Sequence, residues 1–394
     1  MISRMAGGME DAMKTVLGLD RLEEMESVFK GKRIGLITNY SGVDSRWEMN
    51  VDLFMKMGLQ LVRLFTPEHG MFGEGAGKPV ENDVYPGYQI PIVSLFGDHL
   101  RPDEEEMSGI DMLVYDIQDV GLRYYTYIYT MTYCMEAAAK AGIPFVVLDR
   151  PNPLGNRIVS GGAIQSEFHS FIGDYELPVR YGLTCGEVGN YFLQYKGMKM
   201  DYRVIPMLNY TRDTYFCDTG LLWNIPSPAL VDFDSTICYS GGCFVGATSI
   251  SDGRGSSKPF QMYGAPYINM DRLYEEMKRE VKEERIVFRK RAFMPVERKY
   301  IGQVCFGLEF VPLDKTVDFI PVSLQLMRQT ARLYPEQFTL VDGGEGGKHL
   351  HYVTGSRRVD DYLYGKISLE ELLEEWDAQS ARFEKDTESI RIYA

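Results

Sequence analysis

Glu68 and His69 stand side by side in Pro67-Glu68-His69-Gly70, directly after the apolar run Leu59 to Phe65, and glycines recur from Gly70 to Gly77. A carboxylic acid at the rim of a glycine-lined cleft has the chemistry of a general acid when its surroundings tune its protonation. A solvated loop carboxylate is the plain alternative. His69 has the chemistry to orient Glu68 or to touch a substrate, and a structural role suits it equally. Asp116 and Asp119 flank the end of another apolar run. Carboxylate pairs with split pKa values divide acid and base roles in glycoside and phosphoryl chemistry, whereas a single aspartate there can simply cap the following helix. Arg123 and Tyr125 lie in a segment dense in tyrosine. Arginine grips carboxylates with two parallel hydrogen bonds and aromatic faces carry sugar rings, although tyrosines at this spacing also pack as core.

Two loops add candidates. Asp149-Arg150-Pro151-Asn152-Pro153 is stiffened by its prolines and reads either as a site loop or as a rigid turn with an internal ion pair. Ser251 to Ser257 places Arg254 between glycines, a pattern suited to anions. It lacks the P-loop spacing, and no GxGxxG occurs in the chain, which argues against NAD and FAD. His349 and His351 are metal-ligand types without a third ligand in view, so no metal or other cofactor is expected.

The elements that must position these residues alternate. Apolar runs at 33–38, 59–65, 91–96, 110–116 and 144–148 read as strands, and segments near 20–29, 47–57, 102–107 and 123–141 read as helices. Short unbroken apolar runs between helices predict a doubly wound parallel sheet covered on both faces, an α/β fold of Rossmann-like type. Asn39, Glu68, Asp116, Asp119, Asp149 and Arg150 all follow C-terminal strand ends, which in such a sheet share one edge and line one crevice. Beyond residue 165 the alternation loosens. A Pro-rich boundary at 223–228 separates a Rossmann-like catalytic domain, 14–233, from a smaller α+β domain, 234–394, expected to complete the cleft. Residues 1–13 read as a disordered leader.

The chain of 394 residues is 45% hydrophobic and 25% charged, ample for sizeable cores. Its formal net charge of −14 argues against nucleic acid and against anionic membrane surfaces. The six cysteines are scattered without CxxC pairs, as expected for free thiols in a reducing compartment. No apolar leader segment and no run of 18 apolar residues is present, so a cytoplasmic location is expected unless a leader has been removed. Oligomeric state is not legible.

Several motifs together resemble one family, the exo-acting β-N-acetylmuramidases, or NamZ-type glycoside hydrolases, formerly a domain of unknown function. They are Pro67-Glu68-His69-Gly70; Ile117-Gln118-Asp119-Val120-Gly121; Arg123 with Tyr125-Thr126-Tyr127; Val147 to Pro153; Pro178-Val179-Arg180 with Gly186-Glu187; Trp223 with Pro226-Ser227-Pro228; and Gly253-Arg254-Gly255 with Pro259-Phe260 and Gly264-Ala265-Pro266. The resemblance implies release of a terminal N-acetylmuramic acid (MurNAc) from peptidoglycan fragments in a cleft at the domain junction. The family's proposed catalytic glutamate maps onto Glu68. Asp119 is then the second carboxylate or an orienting group. Arg123, Arg150 or Arg254 would hold the lactyl carboxylate, with His69, Asn39, Tyr125, Asp149, Asn152 and Arg180 as further substrate contacts. A non-catalytic muropeptide-binding protein and a metal-dependent phosphate-ester hydrolase are the rival readings. The chain departs from the family pattern in regions expected to contact substrate: Tyr181 replaces a histidine, Ala229 an asparagine, Gly246 an acidic residue, and Met71 precedes Phe72.

Overall fold

The computed structural model describes residues 14–75, 78–344 and 347–394. The expected leader, Gly77 of the glycine run and Glu345-Gly346 lie outside these. The strands are β1 (Arg33–Thr38), β2 (Gln60–Thr66), β3 (Asp83–Tyr85), β4 (Ile90–Ser94), β5 (Met112–Asp116), β6 (Phe145–Leu148), β7 (Ser160–Ala163), β8 (Pro178–Arg180), β9 (Tyr202–Ile205), β10 (Met262–Ala265), β11 (Ile286–Phe293) and β12 (Cys305–Pro312). The helices are α1 (Glu26–Phe29), α2 (Asn50–Lys56), α3 (Glu104–Met107), α4 (Tyr127–Ala141), α5 (Cys185–Lys196), α6 (Phe233–Gly246), α7 (Met270–Glu280), α8 (Ile320–Leu333), α9 (His349–Thr354), α10 (Arg358–Leu363) and α11 (Leu369–Asp386).

A seven-stranded sheet in the order β3-β4-β2-β1-β5-β6-β9 forms the first domain. Every neighbouring pair is parallel except β3 with β4. The α/β fold expected from the alternating runs is therefore the fold observed. Strand order reverses between β1 and β5, where Thr38 is level with Asp116. Side chains alternate across the pleat. Met112 and Val114 enter a core with Phe29 and Phe54, while Leu113 and Tyr115 enter a second core beneath α4 and α5. That second core runs without a break into the C-terminal domain, through Tyr263, Phe310 and Leu324. There an antiparallel sheet, β10-β12-β11, packs on α6 and α7, and α8 packs on those two helices.

Several elements differ from the sequence reading. The helix expected from Arg123 starts at Tyr127 because the Arg123 N–H is donated to Val179 O at 2.8 Å and Leu122 bridges to Arg180. Between the expected strands at 59–65 and 91–96 the polar stretch contains β3, which adds an antiparallel edge. The β7–β8 hairpin escaped notice because Ser160-Gly161-Gly162-Ala163 carries no strand-forming side chains. Gly162, at φ +68°, lies so close to Trp376 that a Cβ would sit 2.5 Å from its ring, which lets α11 approach the hairpin.

Buried polar groups fasten the sheet edge. Asp116 accepts from Arg150 Nε (2.6 Å) and Nη2 (2.9 Å) and from Asn50 Nδ2 (2.7 Å), and Arg150 also donates to Val43 O at 3.0 Å. Residues 392–394 return to the same region. The Tyr393 hydroxyl donates to Asp149 at 2.7 Å, the Ile392 and Tyr393 N–H groups donate to Glu187, and Ala394 O accepts from Arg212 N.

Removing one partner of a buried ion pair strands the other charge, which costs about 3–5 kcal/mol. Arg150→Met is accordingly expected to lose about that much stability, read in urea as a lower midpoint at unchanged slope.

Candidate active site

The end of β2 delivers Pro67-Glu68-His69 to a cavity of about 320 Å³ at the junction of the two domains. The first domain contributes Glu68, His69, Tyr124 to Tyr127 and Ile172. The connecting segment contributes Ser227 to Leu230, and the second domain Tyr239, Cys243, Arg254, Phe260, Glu297, Arg298, His349 and Val353. The chain turns sharply after Glu68: His69 has φ +78° and Gly70 φ +79°, a region in which residues other than glycine are uncommon.

Glu68 Oε2 accepts the Thr126 hydroxyl at 2.9 Å. Thr126 is the N-cap of α4, yet its side chain makes no capping bond to the helix. The hydroxyl that would ordinarily satisfy a helix N–H is spent on fixing the carboxylate instead. Glu68 Oε1 has no hydrogen-bond partner among the described residues. His69 Nε2 lies 3.1 Å from the Ser227 hydroxyl, and its buried Nδ1 is unpartnered among the described residues. Burial lowers the His69 pKa and outweighs the opposing pull of Glu68, so the ring is held toward its neutral form.

The facing wall is held by tyrosines. The hydroxyls of Tyr125 (2.7 Å), Tyr127 (3.0 Å) and Tyr40 (3.0 Å) converge on the carbonyl of Pro226. Asn224 adds a bond to Tyr40 O at 3.3 Å, and Trp223 Nε1 reaches Leu230 O at 3.1 Å. The segment between the domains is thereby clamped over the cavity.

Of the residues named from sequence, Glu68, His69, Tyr125 and Arg254 meet in this cavity. The remaining candidate contacts, Asn39, Asp119, Arg123, Asp149, Arg150, Asn152 and Arg180, do not line it and are held by internal partners. Arg123 is fully buried outside the cavity lining, and its terminal nitrogens donate to Gly162 O, Leu177 O and Val353 O at 2.6–2.9 Å, while its Nε is buried without a partner among the described residues. Arg150 is committed to Asp116. Arg180, also buried, donates to Leu154 O and Val317 O. Asp149 accepts from Thr184, Gly186 and Tyr393. Asn39 accepts from the N–H and hydroxyl of Ser41, and Asn152 ties Leu183 to Leu154.

Asp119 is buried and accepts from the Gly121 N–H (2.7 Å) and from the hydroxyl of Tyr181. The tyrosine that stands where the family pattern has histidine is therefore an internal partner of Asp119. At the second departure, a Cβ on Gly246 would lie 2.5 Å from Asp252 Oδ2, so the space for an acidic side chain is already filled by a carboxylate. The third, Ala229, lines the cavity. Asp252 in turn holds Arg254 through Nε (3.0 Å) and Nη2 (2.8 Å). His349 and His351 diverge: the first lines the cavity and the second bonds Asp360 at 2.9 Å. Glu297 and Arg298 were missed because they sit in a charged loop with no motif around it. Only the fold brings that loop within reach of Glu68.

Both halves of the chain match family models: residues 34–234 match the N-terminal and residues 237–393 the C-terminal domain of the exo-β-N-acetylmuramidase NamZ. The chain belongs to the NamZ family. It is 35% identical, over 96% of its length and 92% of the relative's, to the peptidoglycan β-N-acetylmuramidase NamZ of Bacillus subtilis (strain 168). Crystal structures of two DUF1343 family proteins from Bacteroides fragilis are also similar. One has a TM-score of 0.87 at 28% identity, covering 97% of this chain and 99% of its own. The other has a TM-score of 0.73 at 25% identity, covering 96% and 99%.

Burial pushes the Asp119 carboxyl up to about 6 from its usual 3.8, against the opposing bonds from Tyr181 and Gly121. A raised folded-state value means that its stabilising contribution is complete below about pH 4 and is lost as pH rises through about 6. Asp119→Asn removes that dependence. Between about pH 4 and pH 7 the wild type is expected to lose up to about 3 kcal/mol relative to the variant, read as diverging melting temperatures.

Proposed function

We propose that the cavity binds the terminal MurNAc residue of a peptidoglycan fragment and that Glu68 is the general acid or acid/base that cleaves its β-glycosidic bond. The observation that carries this reading is the carboxylate itself. Glu68 lines a cavity walled by tyrosine and phenylalanine and is held by Thr126 through one oxygen, with the other left without a partner among the described residues. A substrate hydroxyl or glycosidic oxygen at hydrogen-bond distance from Oε1 would receive its proton in line with the fixed carboxyl plane. The remaining oxygen stays anchored, so little side-chain freedom is lost during the reaction.

The shape favours action at a chain end. A pocket of about 320 Å³ is at the small end of ligand sites and suits one substituted sugar ring better than a run of them. Tyr124, Tyr239 and Phe260 supply apolar surface for a ring face. Membership in the NamZ family, and a B. subtilis relative named for peptidoglycan β-N-acetylmuramidase activity, support the substrate class. In the cleavage step the glycosidic oxygen leaves with the proton of Glu68, the bond to the anomeric carbon breaks, and water supplies the new hydroxyl of the released MurNAc.

General acid–base catalysis contributes typically about 10²–10⁴-fold. Glu68→Gln is therefore expected to lower kcat on a chromogenic β-MurNAc glycoside by about 10³-fold while the protein still binds free MurNAc. Full activity in Glu68→Gln would remove Glu68 from the chemistry. A wild type that binds but never cleaves would favour a binding protein. Thr126→Val is expected to lower kcat by about tenfold, because one hydrogen bond to a charged group orients the acid.

A further inference from the structure

The substrate class proposed above carries one feature that other N-acetylated amino sugars lack: a lactyl ether ending in a carboxylate. A protein of net charge −14 needs a local cation to hold it. Each arginine named from sequence has been excluded or neutralised. Arg123 and Arg150 are buried, lie outside the cavity lining and are held by internal partners. Arg254 reaches the cavity, but Asp252 takes it through two nitrogens, so the pair presents little net charge. Burial moves His69 and His349 toward their neutral forms. Lys299 is turned away and donates to the carbonyls of Gly246, Thr248 and Ile250.

Arg298 differs from all of these. It lines the cavity, it is exposed, and among the described residues it has neither an ion-pair nor a hydrogen-bond partner. It lies near enough to His69 for its charge to oppose protonation of that ring. Its backbone is held in a conformation that few side chains adopt, φ +65°. The neighbours account for this. Val296 N is bonded to Gly255 O at 3.0 Å, Lys299 is anchored to the end of α6, and the Tyr300 hydroxyl donates to Ser249 O at 2.6 Å. With residues on either side fixed to the 246–255 segment, the left-handed residue between them is set at the cavity rather than along the loop. Strain of this kind persists where the surroundings over-determine it, and it clusters at ligand sites.

We infer that Arg298 is the carboxylate-recognition residue of the cavity: it pairs with the lactyl carboxylate and so selects N-acetylmuramoyl over N-acetylglucosaminyl ends. The inference rests on the substrate reading above. Glu297, beside it on the same wall, sharpens the selection, because it repels a carboxylate placed anywhere but on the guanidinium.

The test uses two chromogenic glycosides: β-MurNAc, and the same sugar with its lactyl carboxylate converted to the carboxamide. Wild type, Arg298→Ala and Arg298→Lys are compared. A hydrogen bond to a charged group is worth enough for a preference of about ten- to a hundredfold. The wild type is expected to prefer the carboxylate by that factor in kcat/KM. In Arg298→Ala the ratio should fall to near one, through a higher KM for the carboxylate substrate, and Arg298→Lys should keep part of it. An unchanged ratio in Arg298→Ala, an equal loss on both substrates, or a wild type indifferent to the carboxylate would each overturn the inference. Should the wild type cleave neither substrate, the glycosidase reading fails. Calorimetric titration of free MurNAc and its amide into wild type and Arg298→Ala then decides the inference by the same ratio.

Discussion

The ion pair between Asp116 and Arg150 closes the crevice where the strand order reverses. In open α/β sheets that crevice is where ligands ordinarily bind. Here Asp116 at the end of β5 takes both Arg150 and Asn50, so α2, β5 and the loop after β6 are drawn together by one carboxylate. The sheet's own polar groups occupy the site that its topology creates. The cavity that holds Glu68 lies sideways of it, at the end of β2, and outward, at the junction with the second domain. That displacement explains why a second domain is needed: its loops supply the far wall that the sheet edge no longer provides.

The sheet was legible in the sequence because parallel strands covered on both faces must be apolar without interruption, and β5 and β6 are buried at every residue. Glu68 was legible for a related reason. It follows such a strand and stands next to glycines that free the backbone to turn. The other polar residues at the same edge were equally visible but could not be sorted. Residue type and position do not reveal whether a side chain will be used up by a partner distant in the chain. Arg123 is spoken for by Val353 O, and Asp149 by Tyr393. Conversely, β11 hid because five of its eight residues are exposed and Arg289-Lys290-Arg291 interrupts the apolar run. Arg298 hid because what sets it apart is the lack of a partner among the described residues, which no sequence pattern displays.

The tyrosines of the segment 124–127, read as either stacking platform or packing, do pack as core and also act as fasteners. Burial raises the Tyr125 and Tyr127 phenols well above their usual range and Tyr40 to about 12. They therefore remain protonated donors at any pH at which the protein works, and their grip on Pro226 does not loosen with alkalinity. Because one apolar core runs through both domains, the clamp holds the connecting segment against a rigid background rather than across a hinge. A cavity built this way is preorganised, and binding need not first close it.

The return of residues 392–394 to the first domain has a consequence for how the chain is made. Asp149 and its partner Tyr393 are separated by 244 positions. During synthesis at about 5–20 residues per second, the buried carboxylates at the end of β6 and on α5 wait on the order of 10–50 s for their donors. Over that interval the sheet has strands and core but lacks its last fasteners. The first domain is thus expected to emerge from the ribosome as a metastable body, with completion of its polar interior timed by the arrival of a segment from the far end of the other domain.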